Sequence, residues 1–377
     1  MRRRRFISTF AAATAASATG CLQGEGEPDD GEPEDSNGSV RGRRIPGIGD
    51  APDGVYHPTH SDPMEMLGTT ATGDYRLSGM YTLPHRFWTV TGTRTERVEP
   101  TADDSLHLMF AVTDAETGAV VPADLGVSVE VSKDGETVYD RNPWTMLSQR
   151  MGFHFGDNVP LDGEGEYDVE VSVGALSDVQ PTGALEGRFE EGGSTRFVLE
   201  LTDEVLQEMA QDVRYFPESR WGAAEALPPM GADGGMEMEG EGGMHGGMPY
   251  SSAPPAGDLP GELLGTPSED DAVFAVTRVA GGSRFSDDDY LLVSPRTPYN
   301  RSVLPLMNLE TSGGESLSAT LDVEAGLHYG AEVADLATRE QLEIEVVTPP
   351  QVSRHMGYET AFLEMESVTV DPPEEPV

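Results

Sequence analysis

Histidine and methionine are the residues of this chain whose types and spacing could do chemistry. Two of only eight histidines stand in the same frame, in "GFHFGDNV" at residues 152–159 and in "GLHYGAEV" at residues 326–333. Imidazole is a common ligand for copper, zinc and iron, and a thioether selects Cu(I). The repeated frame therefore directs attention to the His and Met residues around each copy.

In the first block, "SLHLMFAVTD" at residues 105–114 alternates like a strand, so His107 and Met109 point to the same face. One interpretation is a metal site at the edge of a sheet; the other is that these residues fill the core or bind backbone groups. The segment "WTMLSQRMGFHFG" supplies a loop and the next strand. The candidate ligands are His107, Met109, Met151 and His154, with Met146 as a further thioether.

In the second block, the candidate ligands are Met307, His328 and His355, with Met356 and Glu359 nearby. His355 belongs to "SRHMGYET", which is typical of a loop. A histidine beside a glycine in a loop has less reason to be a core residue. The alternative is a surface histidine that contacts only solvent.

Two further segments are rich in the same residue types. "YHPTHSDPMEM" near the start of the first block is either a metal-binding coil or a solvated one, and it holds His57, His60, Met64 and Met66. The Gly- and Pro-rich stretch 217–268 is a linker that could wrap several thioethers around Cu(I), or could have drifted to this composition. Its candidate ligands are Met230, Met236, Met238, Met244, His245 and Met248.

Composition excludes several classes of protein. No Gly-rich phosphate loop, His-Glu-x-x-His, Gly-x-Ser-x-Gly or cysteine nucleophile is present, so we expect no enzymatic activity. The net charge is −43, and Lys133 is the only lysine, which indicates an extreme halophile whose salt screens the acidic surface. No basic stripe is available to neutralise phosphates, so we expect no nucleic-acid partner.

The N-terminal segment "MRRRRFISTFAAATAASATGC" is typical of a twin-arginine lipoprotein signal. Arg3, Arg4 and Phe6 fit the export motif, and Cys21 would be the lipidated first residue of the mature chain. We therefore expect a protein anchored to the extracytoplasmic face of the cell membrane. Cys21 is the only cysteine, so no disulfide can stabilise the exported domains.

The hydrophobic pattern predicts an all-β protein of two antiparallel β-sandwich domains joined by a disordered Met/Gly-rich linker. Short alternating segments with turn signals between them carry this prediction, among them a hairpin turn at Asp134–Gly135. A helix over 201–213 with Thr202 as N-cap closes the first domain. The blocks also match each other in order, which suggests a duplication. The predicted boundaries are the signal 1–21, an acidic tether 22–52, the first sandwich 53–216, the linker 217–268, the second sandwich 269–370 and an acidic tail 371–377.

With "GLHYGAEV" and "SRHMGYET", the chain resembles the periplasmic iron-transport lipoprotein family. Members are Ig-like copper- and iron-binding proteins that accompany ferrous-iron permeases. The resemblance implies Ig-like sandwiches and a metal site made of these two histidines, a His-x-Glu pair on an earlier strand and a loop methionine. In the second block it assigns His328, His355 and Met307, but the His-x-Glu pair has no counterpart there.

In the first block, the resemblance assigns His107 and His154 together with Met146 or Met151. Met109 replaces the glutamate of the His-x-Glu pair, which would soften the site toward Cu(I). Phe189 stands where the downstream histidine would be. Neither block alone therefore has the whole ligand set, and two incomplete sites could complete each other across a domain or homodimer interface.

The function expected from these observations is the capture of copper or iron outside the cell and its delivery to a membrane permease. The His and Met side chains would act only as ligands. The alternative is a structural or interaction lipoprotein of the cell surface that inherited the sandwich and has lost metal binding.

Overall fold

The computed structural model describes residues 39–40, 43–44, 48, 51–230, 249–334, 336 and 341–370. Several predicted features lie outside these residues: the signal with Cys21, nearly all of the acidic tether, the acidic tail, and Met236, Met238, Met244, His245 and Met248 of the linker. The described residues from Ser39 onward belong to one compact unit.

The first half of the chain is built of short strands followed by one α-helix. In chain order they are β1 (Ser39–Val40), β2 (Arg43–Arg44), β3 (His60–Ser61), β4 (Glu65–Thr72), β5 (Tyr75–Thr82), β6 (Phe87–Thr91), β7 (Arg94–Val98), β8 (Asp104–Asp114), β9 (Ser128–Lys133), β10 (Glu136–Arg141), β11 (Trp144–Ser148), β12 (Gly152–Pro160), β13 (Gly165–Val173), β14 (Gln180–Pro181), β15 (Gly193–Leu201), α1 (Asp203–Gln211) and β16 (Arg214–Tyr215). A 3-10 helix lies at Gly183–Leu185.

The second half begins with two 3-10 helices, Glu218–Arg220 and Ala256–Asp258, and continues as strands. These are β17 (Glu262–Gly265), β18 (Ser268–Glu269), β19 (Ala272–Val279), β20 (Tyr290–Arg296), β21 (Asn308–Thr311), β22 (Ser316–Asp322), β23 (Gly326–Glu332), β24 (Leu342–Thr348), β25 (Ser353–Arg354) and β26 (Ser367–Val370). The prediction of an all-β protein is confirmed. No helix among the described residues is long and apolar enough to cross a membrane.

The strands form three large, mainly antiparallel sheets. The first has the order β10-β9-β13-β15, and the second has the order β4-β5-β8-β12-β11-β25-β6-β7. The third runs β17-β19-β20-β23-β22-β21-β24-β26, with β14 added beside β22 and β18 beside β19. Alternation explains the layers, because Val129, Val131, Val169 and Val171 enter the core while their neighbours face outward.

Two local predictions are confirmed. β9 and β10 pair across Asp134 and Gly135, whose φ angles of 53° and 82° suit a tight hairpin turn between right-handed strands. The helix α1 begins after Thr202, whose Oγ1 accepts a hydrogen bond from the backbone N–H of Val205 at 3.2 Å.

The two halves are joined more closely than the sequence pattern suggests. Strand β25 belongs to the second half, yet it pairs in parallel with β11 and antiparallel with β6 inside the second sheet. The described parts of the expected linker also have regular structure, including β17 and β18. Both strands pair with β19, which follows a few residues later, so this Gly- and Pro-rich segment is ordered by joining the third sheet.

Candidate metal centre

The outer face of the second sheet carries the candidate ligands of the first half. On β8, the even-numbered residues from Leu106 to Phe110 enter the main core, so His107 and Met109 project from the opposite face. On β12, the same alternation places His154, Gly156 and Asn158 on that outer face. Strand β11 adds Met146, which lies directly opposite His154 in the register.

Four imidazoles converge on this face: His85, His107, His154 and His355. The Nε2 atom of His154 lies 3.2 Å from Nε2 of His355, and Nε2 of His85 lies 3.1 Å from Nδ1 of His355. The rings of His85 and His107 are 4.1 Å apart at their centroids. One ring nitrogen each from His85, His107 and His355 can be chosen so that all three lie within 4.8 Å of one another. A metal ion with ligand distances near 2 Å fits such a group.

Oxygen acceptors hold the Nδ1 atoms of three of these rings. His107 Nδ1 lies 2.9 Å from Oδ1 of Asn158, His154 Nδ1 lies 3.0 Å from the carbonyl of Gly152, and His85 Nδ1 lies 3.1 Å from the carbonyl of Leu83. Each Nδ1 therefore carries the proton, and each Nε2 presents a lone pair toward the cluster. Metal-binding histidines usually have this arrangement.

Asn158 couples two of the rings. Its Oδ1 accepts from His107 Nδ1–H and from the backbone N–H of His85 at 3.3 Å, and its Nδ2 donates to the carbonyl of His85 at 3.0 Å. Asn158 thus positions the coil residue His85 against the strand residue His107.

Glycine at position 156 leaves room for the cluster. A Cβ built there would lie 2.8 Å from His107 Nε2 and 3.1 Å from the sulfur of Met146. Because Gly156 lies two residues after His154 on the same face, the His-aromatic-Gly frame supplies both a ligand and the space beside it.

The loop that carries His355 is docked on the β11–β12 hairpin. The N–H of His355 donates to the carbonyl of Leu147 at 3.2 Å, and Gln149 Nε2 donates to the carbonyl of Gly357 at 3.3 Å. The buried carboxylate of Glu359 accepts from the N–H of Gly357 at 2.6 Å and from the hydroxyl of Tyr56. These contacts fix the position of a histidine that lies 201 residues beyond His154.

Burial keeps the rings of His107, His154 and His355 neutral. Desolvation lowers the pKa of His154 to about 4, and it lowers the pKa of His107 well below its usual value, with His85 adding to the effect. Desolvation and the neighbouring His85, His154 and His107 likewise lower the pKa of His355. At neutral pH the cluster therefore offers lone pairs to a cation without first losing protons.

A cavity of about 120 Å³ opens beside the cluster. His85 and His355 line it on the cluster side, and His60 lines it as well, with its Nε2 3.6 Å from a carboxylate oxygen of Asp62. Thioethers contribute to the same wall, from Met64, Met109, Met151 and Met356. The sulfur of Met356 also accepts from the hydroxyl of Thr59 at 3.6 Å. His57, three residues before His60, is buried and makes an edge-to-face contact with the ring of Phe216.

The residues predicted for the second block do not converge on a centre of their own. His328 is buried, its Nδ1 lies 3.1 Å from the carbonyl of Gly326, and its Nε2 lies 3.4 Å from the hydroxyl of Tyr290. Met307 packs in the main core. His355, assigned by sequence to the second block, instead joins His107 and His154 of the first block. His355 thus supplies the downstream histidine that the first block lacks, where Phe189 stands at the expected position.

His85 is the ligand candidate that sequence reasoning missed. It stands in "YTLPHRFW", between β5 and β6, with no second ligand type at a regular spacing. One available signal was Asn158, which follows His154 by four residues on the same face and has no reason to be buried unless it positions another polar group.

Comparisons with known proteins add the following. Residues 257–371 match a family model described as a domain of unknown function, DUF7350. The comparison with curated proteins gave no match. Among solved structures, the chain is similar to FetP of uropathogenic Escherichia coli strain F11 as isolated, with 15% identity and a TM-score of 0.28, over 37% of this chain and 97% of FetP. A copper-bound variant of FetP gives 16% identity and a TM-score of 0.30, over 37% of this chain and 93% of that one.

Proposed function

We propose that the four-histidine cluster binds a copper ion, and that the protein captures copper outside the cell and passes it to a membrane permease. Export and lipid attachment through Cys21 complete the proposal and rest on the N-terminal sequence alone. The proposed role is binding and transfer of an ion, in which no covalent bond is made or broken.

The proton count at His355 is the observation that carries the proposal. His85 and His154 both direct Nε2 lone pairs at His355, toward its Nδ1 and its Nε2 respectively. A neutral imidazole has only one N–H, so one of the two contacts brings two lone pairs together. A second proton on His355 would relieve this repulsion, but burial disfavours that charged form.

A metal cation relieves the same repulsion. It accepts the lone pairs of His85 Nε2 and His355 Nδ1, so that the N–H at Nε2 of His355 can donate to His154. It also gives a partner to Nε2 of His107, which is buried without a hydrogen-bond partner among the described residues. A buried nitrogen without a hydrogen-bond partner destabilises the folded protein by about 1–3 kcal/mol, so the metal-free cluster favours binding of a cation. Ion binding thus gives Nε2 of His107 a partner that the described residues do not supply.

The ligand set favours copper over iron. Imidazoles bind both metals, but the thioethers of Met109 and Met146 lie beside the cluster, as the contacts around Gly156 show. No carboxylate belongs to the group of ligand atoms found within 4.8 Å in the described residues. Non-haem Fe(II) sites commonly add a carboxylate to two imidazoles, whereas imidazole and thioether together suit copper.

Copper and iron titrations at high salt test the proposal. The full chain should bind one Cu(II) whose electron paramagnetic resonance spectrum shows nitrogen couplings, and His154→Ala, which removes the acceptor that orients His355, should bind it far more weakly. His328→Ala is the matched control, because His328 is also a buried histidine in the same sequence frame, and this variant should bind Cu(II) like the wild type. If all three proteins bind copper equally, the cluster is not a metal site, and a structural surface lipoprotein becomes the better interpretation.

A further inference from the structure

A row of methionines crosses the sheet next to the histidine cluster. Met66 on β4 is the register partner of Met80 on β5, Met80 is the partner of Met109 on β8, and Met109 is the partner of Gly156 on β12. Side chains at such paired positions are about 4.5–5.5 Å apart at Cβ. Three thioethers therefore form a continuous line from the edge strand β4 to the position beside His107.

The row lies outside the main hydrophobic core. Met80, Met109 and Met151 are almost fully buried and form a separate cluster with Ala111, against which the half-buried Met64 and Met66 pack. Met64, Met109 and Met151 also line the cavity that His85 and His355 line. The row thus continues into the wall of the proposed copper site.

Packing alone does not explain the sulfur. The equivalent row on the third sheet runs from Leu263 through Thr277 and Leu292 to Gly330, with the same strand pairing. It contains no methionine, and the cluster on that face is made of Leu, Val, Ala and Tyr. Methionine is therefore not required at these positions of the architecture. Of the eleven methionines among the described residues, six lie in the row or line the cavity: Met64, Met66, Met80, Met109, Met151 and Met356.

We propose that Met80, Met109 and Met151 form a second metal site, which binds Cu(I), with Met64 and Met66 as its outer approach. The inference deepens the proposed function and rests on the assignment of the histidine cluster to copper. A thioether is a soft, uncharged ligand, so three of them suit a monovalent soft ion and offer little to Cu(II) or iron. Met109 belongs to this second site and also lines the cavity beside the histidines, so an ion can pass from its sulfur to an imidazole.

The test is a Cu(I) titration of the full chain with a bicinchoninate competitor under anaerobic conditions. Wild type should bind two Cu(I), and X-ray absorption should show a sulfur shell. Met80→Leu combined with Met151→Leu should bind one Cu(I) and lose most of that shell. Leucine preserves volume, so we expect folding to be retained. The control pair is Met209→Leu with Met365→Leu, both buried in the main core, which should still bind two.

The outcomes separate this inference from the proposed function. Two Cu(I) bound by the Met80/Met151 variant, or one Cu(I) without sulfur scattering in wild type, would overturn the thioether site. The nitrogen-coupled Cu(II) spectrum, recorded on the same variant, reports on the histidines independently and should be unchanged. If the double variant fails to fold in a metal-free thermal melt, Met64→Leu with Met66→Leu replaces it. These residues are half-buried, and their substitution should weaken Cu(I) binding at the second site by about 10-fold; an unchanged affinity would overturn the outer approach.

Discussion

The surroundings of His154 and His328 differ far less in sequence than in what they can do. Both histidines occupy the same position of the His-aromatic-Gly frame. In each, Nδ1 faces the backbone carbonyl of the residue two positions earlier, and burial lowers the pKa of the imidazole to about 4. Each is followed two residues later by a glycine on the same face, Gly156 or Gly330. A buried, neutral, oriented histidine is therefore common to both regions and cannot by itself be the mark of a metal site.

The difference lies on the neighbouring strand. The register partner of Asn158 is His107, whereas the partner of the corresponding Glu332 is Tyr290. The tyrosine ring occupies the space above Gly330, and its hydroxyl lies 3.3 Å from Oγ1 of Thr320 and 3.4 Å from Nε2 of His328. In one region Nε2 of His107 faces the space beside the glycine without a hydrogen-bond partner among the described residues. In the other, the ring of Tyr290 fills that space and its hydroxyl contacts Nε2 of His328. One aromatic residue on an adjacent strand is thus enough to fill the space that an ion would occupy.

The largest expected effect comes from the ligand that crosses between the halves. His355→Ala should weaken Cu(II) binding by more than ~100-fold, because loss of a ligand exceeds the ~10–100-fold cost of losing a group behind it. His328→Ala should leave the affinity unchanged, although His328 belongs to the same half of the chain. Competition titration with a Cu(II) chelator measures both. Equal losses of affinity would contradict the division between the region around His154, which has space for an ion, and the region around His328, where Tyr290 fills that space.

The next largest effect on copper affinity is expected from Asn158, which binds Nδ1 of His107. Asn158→Ala should lower the Cu(II) affinity by ~10–100-fold, because the tautomer of His107 and the position of His85 both depend on this amide. Glu332→Ala is the counterpart in the region around His328, where the carboxylate accepts a hydrogen bond from the hydroxyl of Ser286 at 2.6 Å, and it should not change copper binding. Nitrogen couplings in the Cu(II) spectrum should change in the first variant alone.

Substitution of the two glycines should separate stability from binding. Gly330→Ala introduces a methyl group against the ring of Tyr290 and should lower the free energy of unfolding by about 1–3 kcal/mol without affecting copper. Gly156→Ala meets His107 Nε2 and the sulfur of Met146, so it should also lower copper affinity. Chemical denaturation and copper titration of both variants check this. Loss of copper binding in Gly330→Ala would show that the region around His328 still takes part in binding.

The smallest effect is a dependence on pH. His154 and His328 have folded-state pKa values of about 4, below the unfolded value near 6.5, so acid favours the unfolded chain. The stabilising contribution is complete above about pH 6.5 and is lost as the pH falls toward 4. Each residue should cost about 0.8 kcal/mol at pH 6 in the metal-free protein. Denaturation of the metal-free wild type, His154→Gln and His328→Gln at pH 6 and pH 8 should show that each substitution removes about the same part of the pH dependence.

Much of this arrangement could be predicted from local patterns. Alternation alone placed His107 and Met109 on one face, and the His-aromatic-Gly frame identified His154. The all-β class followed from short alternating segments with turn residues between them. These features depend on neighbours within a few residues, which is the range over which strand periodicity acts.

The remaining parts depend on pairing between distant segments. His355 reaches the cluster because the two-residue strand β25 inserts between β11 and β6, and nothing in "SRHMGYET" specifies those partners. His85 lies in a coil whose position is set by an amide 73 residues away. The filling of the second region by Tyr290 was equally hidden, since "DYLLV" reads as an ordinary strand until its register is known.

The insertion of β25 also affects the order of folding. His154 and His355 are 201 residues apart, so their meeting requires closure of a long loop, which slows folding relative to local contacts. The cluster can therefore be complete only after the C-terminal half has docked, and an ion encountered by a partly folded chain meets at most three of the four imidazoles. Once bound, the ion acts as a late cross-link between the halves and should slow unfolding more than it accelerates folding.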